Sequence, residues 1–179
     1  MRILAIPGSL RKNSSNKAIL QFTRTLFPSD STFILYESLA DLPHFNPDLD
    51  DEQVVESVIQ LRHELKMADA VILCTPEYAY GVPGSLKNAL DWIVSSGELM
   101  KKPTSVISAS PSFMGGDKAF ASLTLTLTVM DAHLVEGSSL MIGSVAQKLS
   151  STGEVTDSYT IAALKQMVKN LIQAALAQV

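Results

Sequence analysis

Short apolar runs alternate along the chain with longer segments in which apolar residues recur every three or four positions. The runs predict strands at Arg2 to Pro7, Thr32 to Tyr36, Asp69 to Thr75, Thr104 to Ser110 and Ser138 to Ile142, with a short extended piece at His133 to Glu136 as a candidate lead-in to the last. The helical pattern covers Ser15 to Phe27, Asp51 to Met67, Gly84 to Ser96, Gly116 to Met130 and Asp157 to Gln178. In the final helix Ile161, Leu164, Val168, Leu171 and Ile172 form a stripe that faces a core. Near-continuous apolar strands separated by helices imply an α/β fold, with a parallel sheet covered by helices on both faces. Five such units suit a doubly wound, five-stranded sheet of order 2-1-3-4-5, which binds ligands at the carboxyl ends of its strands beside the switch point. The loops after the first, third and fourth strands should then meet at one site.

Composition narrows the class. No repeat, low-complexity tract or linker divides the 179 residues, so a single domain over 1–179 is expected. A net charge of −4 and the lack of any basic run argue against a nucleic-acid partner. No stretch approaches the roughly 18 to 20 apolar residues of a membrane span, and the opening residues lack a signal-peptide pattern; a cytoplasmic protein is expected. The single cysteine, Cys74, excludes an internal disulfide framework and reads as a buried thiol within Val71-Ile72-Leu73.

The three loops carry the chemistry. Gly8-Ser9-Leu10-Arg11-Lys12-Asn13-Ser14-Ser15-Asn16 joins a strand to a helix, so hydroxyls and backbone N–H groups gather at the positive end of a helix dipole, with Arg11 as a planar cation. That reads as a cradle for a compact phosphomonoester; the plainer reading is a turn capped by Asn13 or Ser14. The Walker lysine and the dinucleotide glycine spacing are missing. The second loop, Thr75 to Gly84, holds two prolines and two glycines in a rigid path past Tyr78 and Tyr80. Its backbone could read the edge of a heterocycle, or the loop could be structural, with both tyrosines packed inward and Glu77 capping a backbone group. The third, Ser108 to Gly116, ends in Gly115-Gly116, suited to a close approach or a helix start.

Gly8-Ser9-Leu10-Arg11-x-x-Ser14-x-Asn16, then Thr75-Pro76-Glu77-Tyr78-x-Tyr80-x-Val82-Pro83-Gly84-x-Leu86-Lys87-Asn88-Ala89-x-Asp91-Trp92, then Gly115-Gly116, resemble the NAD(P)H-dependent FMN reductase family, which includes chromate and quinone reductases. Asp131-Ala132 and Gly153-Glu154-Val155 extend the likeness. The resemblance implies a flavodoxin-like domain that holds FMN without a covalent bond and takes NAD(P)H as co-substrate. Ser9, Arg11, Ser14, Ser15 and Asn16 would hold the phosphate. Pro76, Glu77, Tyr78, Ala79, Tyr80 and Gly81 would line the isoalloxazine, chiefly through backbone, and Ser110 would approach from the third loop. Phe113 and Met114 would cover the flavin face or bury against a second subunit. The family usually has Asn where this chain has Ala79, and Ser112 interrupts its glycine-rich third loop.

Hydride transfer needs stacked partners rather than a side-chain acid or base, so no catalytic residue is assigned. The implied function is an oxidoreductase that passes hydride from the nicotinamide to bound FMN and on to a small-molecule acceptor: a quinone, free flavin, azo compound or metal oxyanion. The alternatives are a non-catalytic electron carrier or redox sensor, or a relative that has lost its flavin at Ala79. The family also implies a homodimer or homotetramer, with the apolar helix Gly84 to Ser96 as a candidate surface. His44, His63 and His133 have no companions at ligand spacing, so no metal is expected. No nucleophile elbow of the G-x-S-x-G type occurs. The acidic Asp48 to Glu52 suits a helix start, Trp92 a core or a subunit interface, and Lys118 a solvated position.

Overall fold

A computed structural model describes residues 1–50 and 54–178. Its elements in order are β1 Arg2–Pro7, α1 Ser15–Arg24, β2 Thr32–Leu35, α2 Glu56–Met67, β3 Ala70–Thr75, α3 Gly84–Val94, β4 Pro103–Ala109, α4 Asp117–Val129, β5 His133–Leu134, β6 Leu140–Ile142 and α5 Ser158–Leu176. All strand pairs of the sheet are parallel and its order is β2-β1-β3-β4-β5, with β6 also paired to β4. The expected order is therefore present, and the fifth strand comes in two pieces. Two apolar clusters pack on the sheet: Leu61, Leu65, Leu90, Trp92 and Leu123 on the α2, α3 and α4 face, and Ile19, Leu20, Leu164, Met167 and Leu171 on the α1 and α5 face. Among the described residues no helix is long and apolar enough to cross a membrane, and no group of three or more His, Cys, Asp or Glu side chains could hold a metal ion.

The break in the fifth strand has a polar cause. Pro103 and Thr104 pair with His133 and Leu134, and Ile107 to Ala109 pair with Leu140 to Ile142, so Val135 to Ser139 bulges opposite Ser105 and Val106. Hydroxyls fill the gap in the ladder. Ser105 Oγ donates to Ser138 Oγ at 2.9 Å, Ser138 Oγ donates to the Val135 carbonyl at 2.8 Å, and Val106 N–H reaches Ser139 Oγ at 3.4 Å. From α5, Asn170 Nδ2 donates to the Gly137 carbonyl at 2.9 Å. Buried polar groups left without partners are costly, so this chain of bonds keeps the bulge where it is.

Two helix expectations shift for local reasons, those for α2 and α3, while α4 forms as expected. The first described turn of α2 begins at Glu56; Asp51 and Glu52 lie outside the described residues. Asp50 binds Arg62 Nη2 at 2.6 Å and accepts from Ser95 Oγ at 2.5 Å rather than serving the start of α2, and these two hydrogen bonds, Ser95 first, hold its carboxyl below the usual range. On α3, Leu86, Ala89, Leu90, Trp92 and Ile93 are buried within the chain itself. The apolar face offered as a subunit surface is thus already covered, and Trp92 is core, its Nε1–H donating to the Pro43 carbonyl at 2.8 Å. In α4 the alternating Leu-Thr run would suit a strand, yet Ala119, Leu123 and Leu127 share a buried helical face. Thr124, Thr126 and Thr128 donate to carbonyls one turn back, which satisfies their hydroxyls along the helix.

Replacing Ser138 with Ala strands the Ser105 hydroxyl in the interior and should cost about 1–3 kcal/mol in urea unfolding. The Ser105→Ala, Ser138→Ala double variant should cost less than the sum of the single changes, because both partners are then gone; strict additivity would show that the pair does not hold the bulge.

Candidate functional site

The loops after β1, β3 and β4 meet at the carboxyl ends of the strands and are tied to one another. Gly8 N–H donates to the Cys74 carbonyl at 2.8 Å, and a Cβ there would stand 2.8 Å from Leu86 Cδ2. Glycine is needed for that close approach to β3 and α3, not for a left-handed turn. Ser9 Oγ and Tyr78 OH share a hydrogen bond of 3.3 Å, which links the first loop to the second. Glu77 Oε2 accepts from the backbone N–H of Lys118 at 2.9 Å and of Ala119 at 3.0 Å, which links the second loop to α4.

In the first loop Leu10 to Asn13 are exposed, whereas Ser14 and Asn16 are buried. Ser14 occupies the N-cap position of α1 with φ −90 and ψ 129, but its side chain makes no capping bond. The capped-turn reading fails at Ser14, and the first-turn amides of α1 have no side-chain acceptor there. Asn16 points elsewhere than expected. Its Nδ2 donates to the Ala109 carbonyl at 3.4 Å and its Oδ1 accepts from Cys74 Sγ at 3.2 Å, so only its backbone remains for an anion. Burial raises the Cys74 thiol well above its ordinary pKa and keeps it protonated as that donor. The loop stands between two clefts. Ser9 and Arg11 border one of about 180 Å³, Ser14 and Ser15 border another of about 520 Å³, and Lys12 and Lys17 border both. Lys17 pairs with Glu37.

The second loop is a tight hairpin in which Tyr78 and Gly81 exchange both backbone hydrogen bonds at 3.0 Å. Ala79 and Tyr80 at its tip have φ of +47 and +61, which fit a type I′ turn. That turn favours Asn or Gly, so Ala79 is a departure in backbone conformation as well as a missing amide. Neither tyrosine packs inward: Tyr78 is 48% and Tyr80 81% exposed. Pro76 is buried, its carbonyl accepting from Thr75 Oγ1 at 2.8 Å. The structural role considered for Glu77 is present beside any ligand role of its backbone.

The third loop is pinned by a segment that sequence reasoning missed. Ser110 N–H donates to the Ile142 carbonyl, Val145 N–H to the Ser110 carbonyl and Ser144 N–H to the Ser112 carbonyl, at 3.1, 3.1 and 3.0 Å. A Cβ on Gly143 would sit 2.1 Å from the Phe113 carbonyl oxygen. A glycine directly after a predicted strand was the available signal. Ser110 is buried, and its Oγ accepts from Ser112 N–H at 3.2 Å. Phe113, 87% exposed, and Met114 lie open to solvent. Lys118 pairs with Asp117 Oδ2 at 3.0 Å, and that bond holds its ammonium pKa up, as suits a solvated position.

Comparison with known proteins finds relatives across nearly the whole chain. A family model described as NADPH-dependent FMN reductase matches residues 1–147. The chain is similar to the NADH:(hydroxy)cinnamate reductase subunit CrdA of Vibrio ruber, 33% identical over 175 residues that cover 96% of this chain and 86% of that protein. It is also similar to a quinone reductase of Escherichia coli strain K12, 31% identical over 90% of this chain and 88% of that one. Among solved structures, FerB of Paracoccus denitrificans, described as a flavoenzyme NAD(P)H:(acceptor) oxidoreductase, has a TM-score of 0.87 at 31% identity, with 98% of this chain and 97% of that chain covered.

The positive φ at Ala79 predicts that Ala79→Asn raises unfolding stability by about 1 kcal/mol, since Asn tolerates the left-handed region better. Ala79→Val should lower it; equal stability of the three proteins would remove the case for a strained turn.

Proposed function

The chain belongs to the NADPH-dependent FMN reductase family, and on that premise we propose that this oxidoreductase, with FMN as bound cofactor and NAD(P)H as co-substrate, passes reducing equivalents to a quinone, free flavin, azo compound or metal oxyanion. The observation that supports the site reading most directly is the N-terminus of α1, where the buried Ser14 leaves the first-turn amides uncapped beside Arg11 and Lys12. Those groups suit a phosphate dianion, through the helix dipole and charge-assisted hydrogen bonds. FMN when bound supplies the redox chemistry, accepting hydride from the nicotinamide and delivering electrons to the second substrate.

The chain's part is binding and orientation. Ser9 and Arg11 hold the phosphate from one flank of the loop, Ser14 and Ser15 from the other, and Asn16 contributes its backbone N–H. Beneath them, the Asn16 side chain ties the start of α1 to β3 and β4 and fixes the height of the cradle. Pro76 to Gly81 presents backbone groups in a hairpin too short to flex, and Ser110 closes the third side. Backbone donors in such fixed positions stabilise negative charge as it develops, without reorganising. Tyr78 and Tyr80 give the second substrate apolar ring surface with few polar groups to satisfy, which suits planar acceptors of varied chemistry. A single domain acting in the cytoplasm as a homodimer or homotetramer is part of the same proposal; the open Tyr80 and Phe113 rings support a subunit that completes the pocket.

Anaerobic mixing of the FMN-loaded protein with NADPH and then NADH should bleach the visible flavin band, and a quinone should restore it. Bound flavin that neither nucleotide reduces would overturn the enzyme reading in favour of a carrier or sensor. Arg11→Ala should weaken FMN retention by roughly 10- to 100-fold, the worth of a charged hydrogen bond. Cys74→Ser, which keeps a donor to Asn16 Oδ1, should leave the bleaching rate unchanged; slower bleaching would give the thiol a role that its burial does not suggest.

A further inference from the structure

The two helices on one face of the sheet, α1 and α5, carry no carboxylate of their own. Ser15–Arg24 and Ser158–Leu176 contain Lys17, Arg24, Lys165 and Lys169 and not one Asp or Glu, although the whole chain has a net charge of −4. Lys17 pairs with Glu37, whereas among the described residues Arg24, Lys165 and Lys169 have no carboxylate within ion-pair distance. Lys165 and Lys169 stand one turn apart on α5, a spacing at which like charges repel and weaken a helix. An anion held between them relieves that repulsion.

Both lysines border a groove of about 590 Å³ at the carboxyl end of α1, the opposite end from the first loop. Its apolar lining is Leu26 and Pro28, which follow α1, and Val168 and Ile172 on α5. Val168 is 3% exposed, and Leu26 and Ile172 pack half-buried against the core of that face, so the floor is fixed. Among the described residues no carboxylate lines the groove; Asp30, in the turn beyond Pro28, is not part of its wall. No aromatic ring lines it either. Along α5 the wall from Lys165 to Gln173 runs about 12 Å at the helical rise per residue.

We propose that this groove binds an aliphatic monocarboxylate of medium chain length, its head between Lys165 and Lys169 and its chain over Leu26, Val168 and Ile172. The charge of the rim selects an anion, and the lysine stems extend the apolar surface while their ammonium groups stay in water. A wholly aliphatic floor offers nothing on which a ring could stack, so an acyl chain suits it better than an aryl acid. The volume lies in the range of small-molecule sites, whereas a docked helix would be 10–12 Å across. The groove shares no residue with the loops after β1, β3 and β4, so this inference does not depend on where the flavin lies.

The test is calorimetry of the full chain, with and without FMN, against decanoate, 1-decanol and decylamine. Decanoate should bind saturably at one site, with a Kd below about 1 mM, and decylamine should not bind. The Lys165→Glu, Lys169→Glu double variant should weaken decanoate by about tenfold or more and gain decylamine in its place, which also shows that the variant is folded. Lys165→Gln with Lys169→Gln should weaken decanoate by a smaller factor without gaining decylamine. Decanol binding as tightly as decanoate would overturn the proposal, as would decanoate binding that ignores the lysine changes. A change of sedimentation coefficient on charge reversal would overturn it too, by assigning this face to a contact between copies of the chain.

Discussion

The Glu77 carboxylate holds the carboxyl end of the sheet together. α4 begins after Gly116, which has φ +79 and no side chain with which to cap, so the first amides of the helix have no local acceptor. Glu77 Oε2 supplies one from another loop through two hydrogen bonds, and its charge lies at the positive end of the helix dipole. Nor can a larger residue replace Gly116. A Cβ there would come within 2.5 Å of Ser108 Oγ, which donates to the Gly116 carbonyl, and within 3.3 Å of Glu77 Cβ. The glycine and the carboxylate are thus one device: the missing side chain makes room for the cap that replaces it. Through Tyr78 and Ser9 the same constraint reaches the first loop, so three loops far apart in sequence share one frame.

Against that frame the tip of the second loop is strained. Two successive non-glycine residues in the left-handed region cost on the order of 1–2 kcal/mol each. The turn persists because both flanks are fixed: Glu77 is locked to α4 on one side, and Pro83 leads directly into α3 on the other. Strain held in place by rigid surroundings is a recurrent property of binding loops. Here it turns two tyrosines outward, where they are of no use to the core.

The sheet was legible because its long strands are runs of apolar and small residues with no charged side chain between Ile3 and Pro7, Ala70 and Thr75 or Pro103 and Ala109, each followed by a helical period; Ala70 to Thr75 and Pro103 to Ala109 are buried along their whole length. The two pieces of the fifth strand were legible as the extended lead-in at His133 to Glu136 and the strand at Ser138 to Ile142, but the bulge between them was not, because it depends on Ser105 meeting Ser138 and on Asn170 reaching back from α5. Hydroxyl partners separated by tens of residues leave no periodic trace. The site was readable as three loops and less so as side chains. Asn16 has the right type and spacing for a phosphate ligand, yet its amide is used by Cys74 and Ala109. Ala79 was visible as a missing amide, while its backbone consequence required the turn geometry. Gly143 carried only the weak signal of a glycine after a strand, although Phe113 leaves no room there for any side chain.

The two ends of the proposed site call for different physics. At the proposed phosphate end the ligand would be small and charged, and the chain would meet it with a helix terminus anchored from below by Asn16, whose amide hydrogen bonds to Cys74 and Ala109 set the positions of the donors from the sheet. At the ring end the proposal allows acceptors of varied chemistry, and directional polar contacts matched to one acceptor would exclude others by leaving buried groups unpaired. Exposed rings on a stiff turn avoid that penalty, since π-surface tolerates many planar partners. The same separation explains why strain is tolerable at Ala79 and not at Ser14. On the proposed placement, displacing the turn tip by a fraction of an ångström would change which acceptors fit, whereas displacing the start of α1 by that distance would misalign every amide that meets the phosphate. Breadth at one end of the proposed site would therefore depend on rigidity at the other.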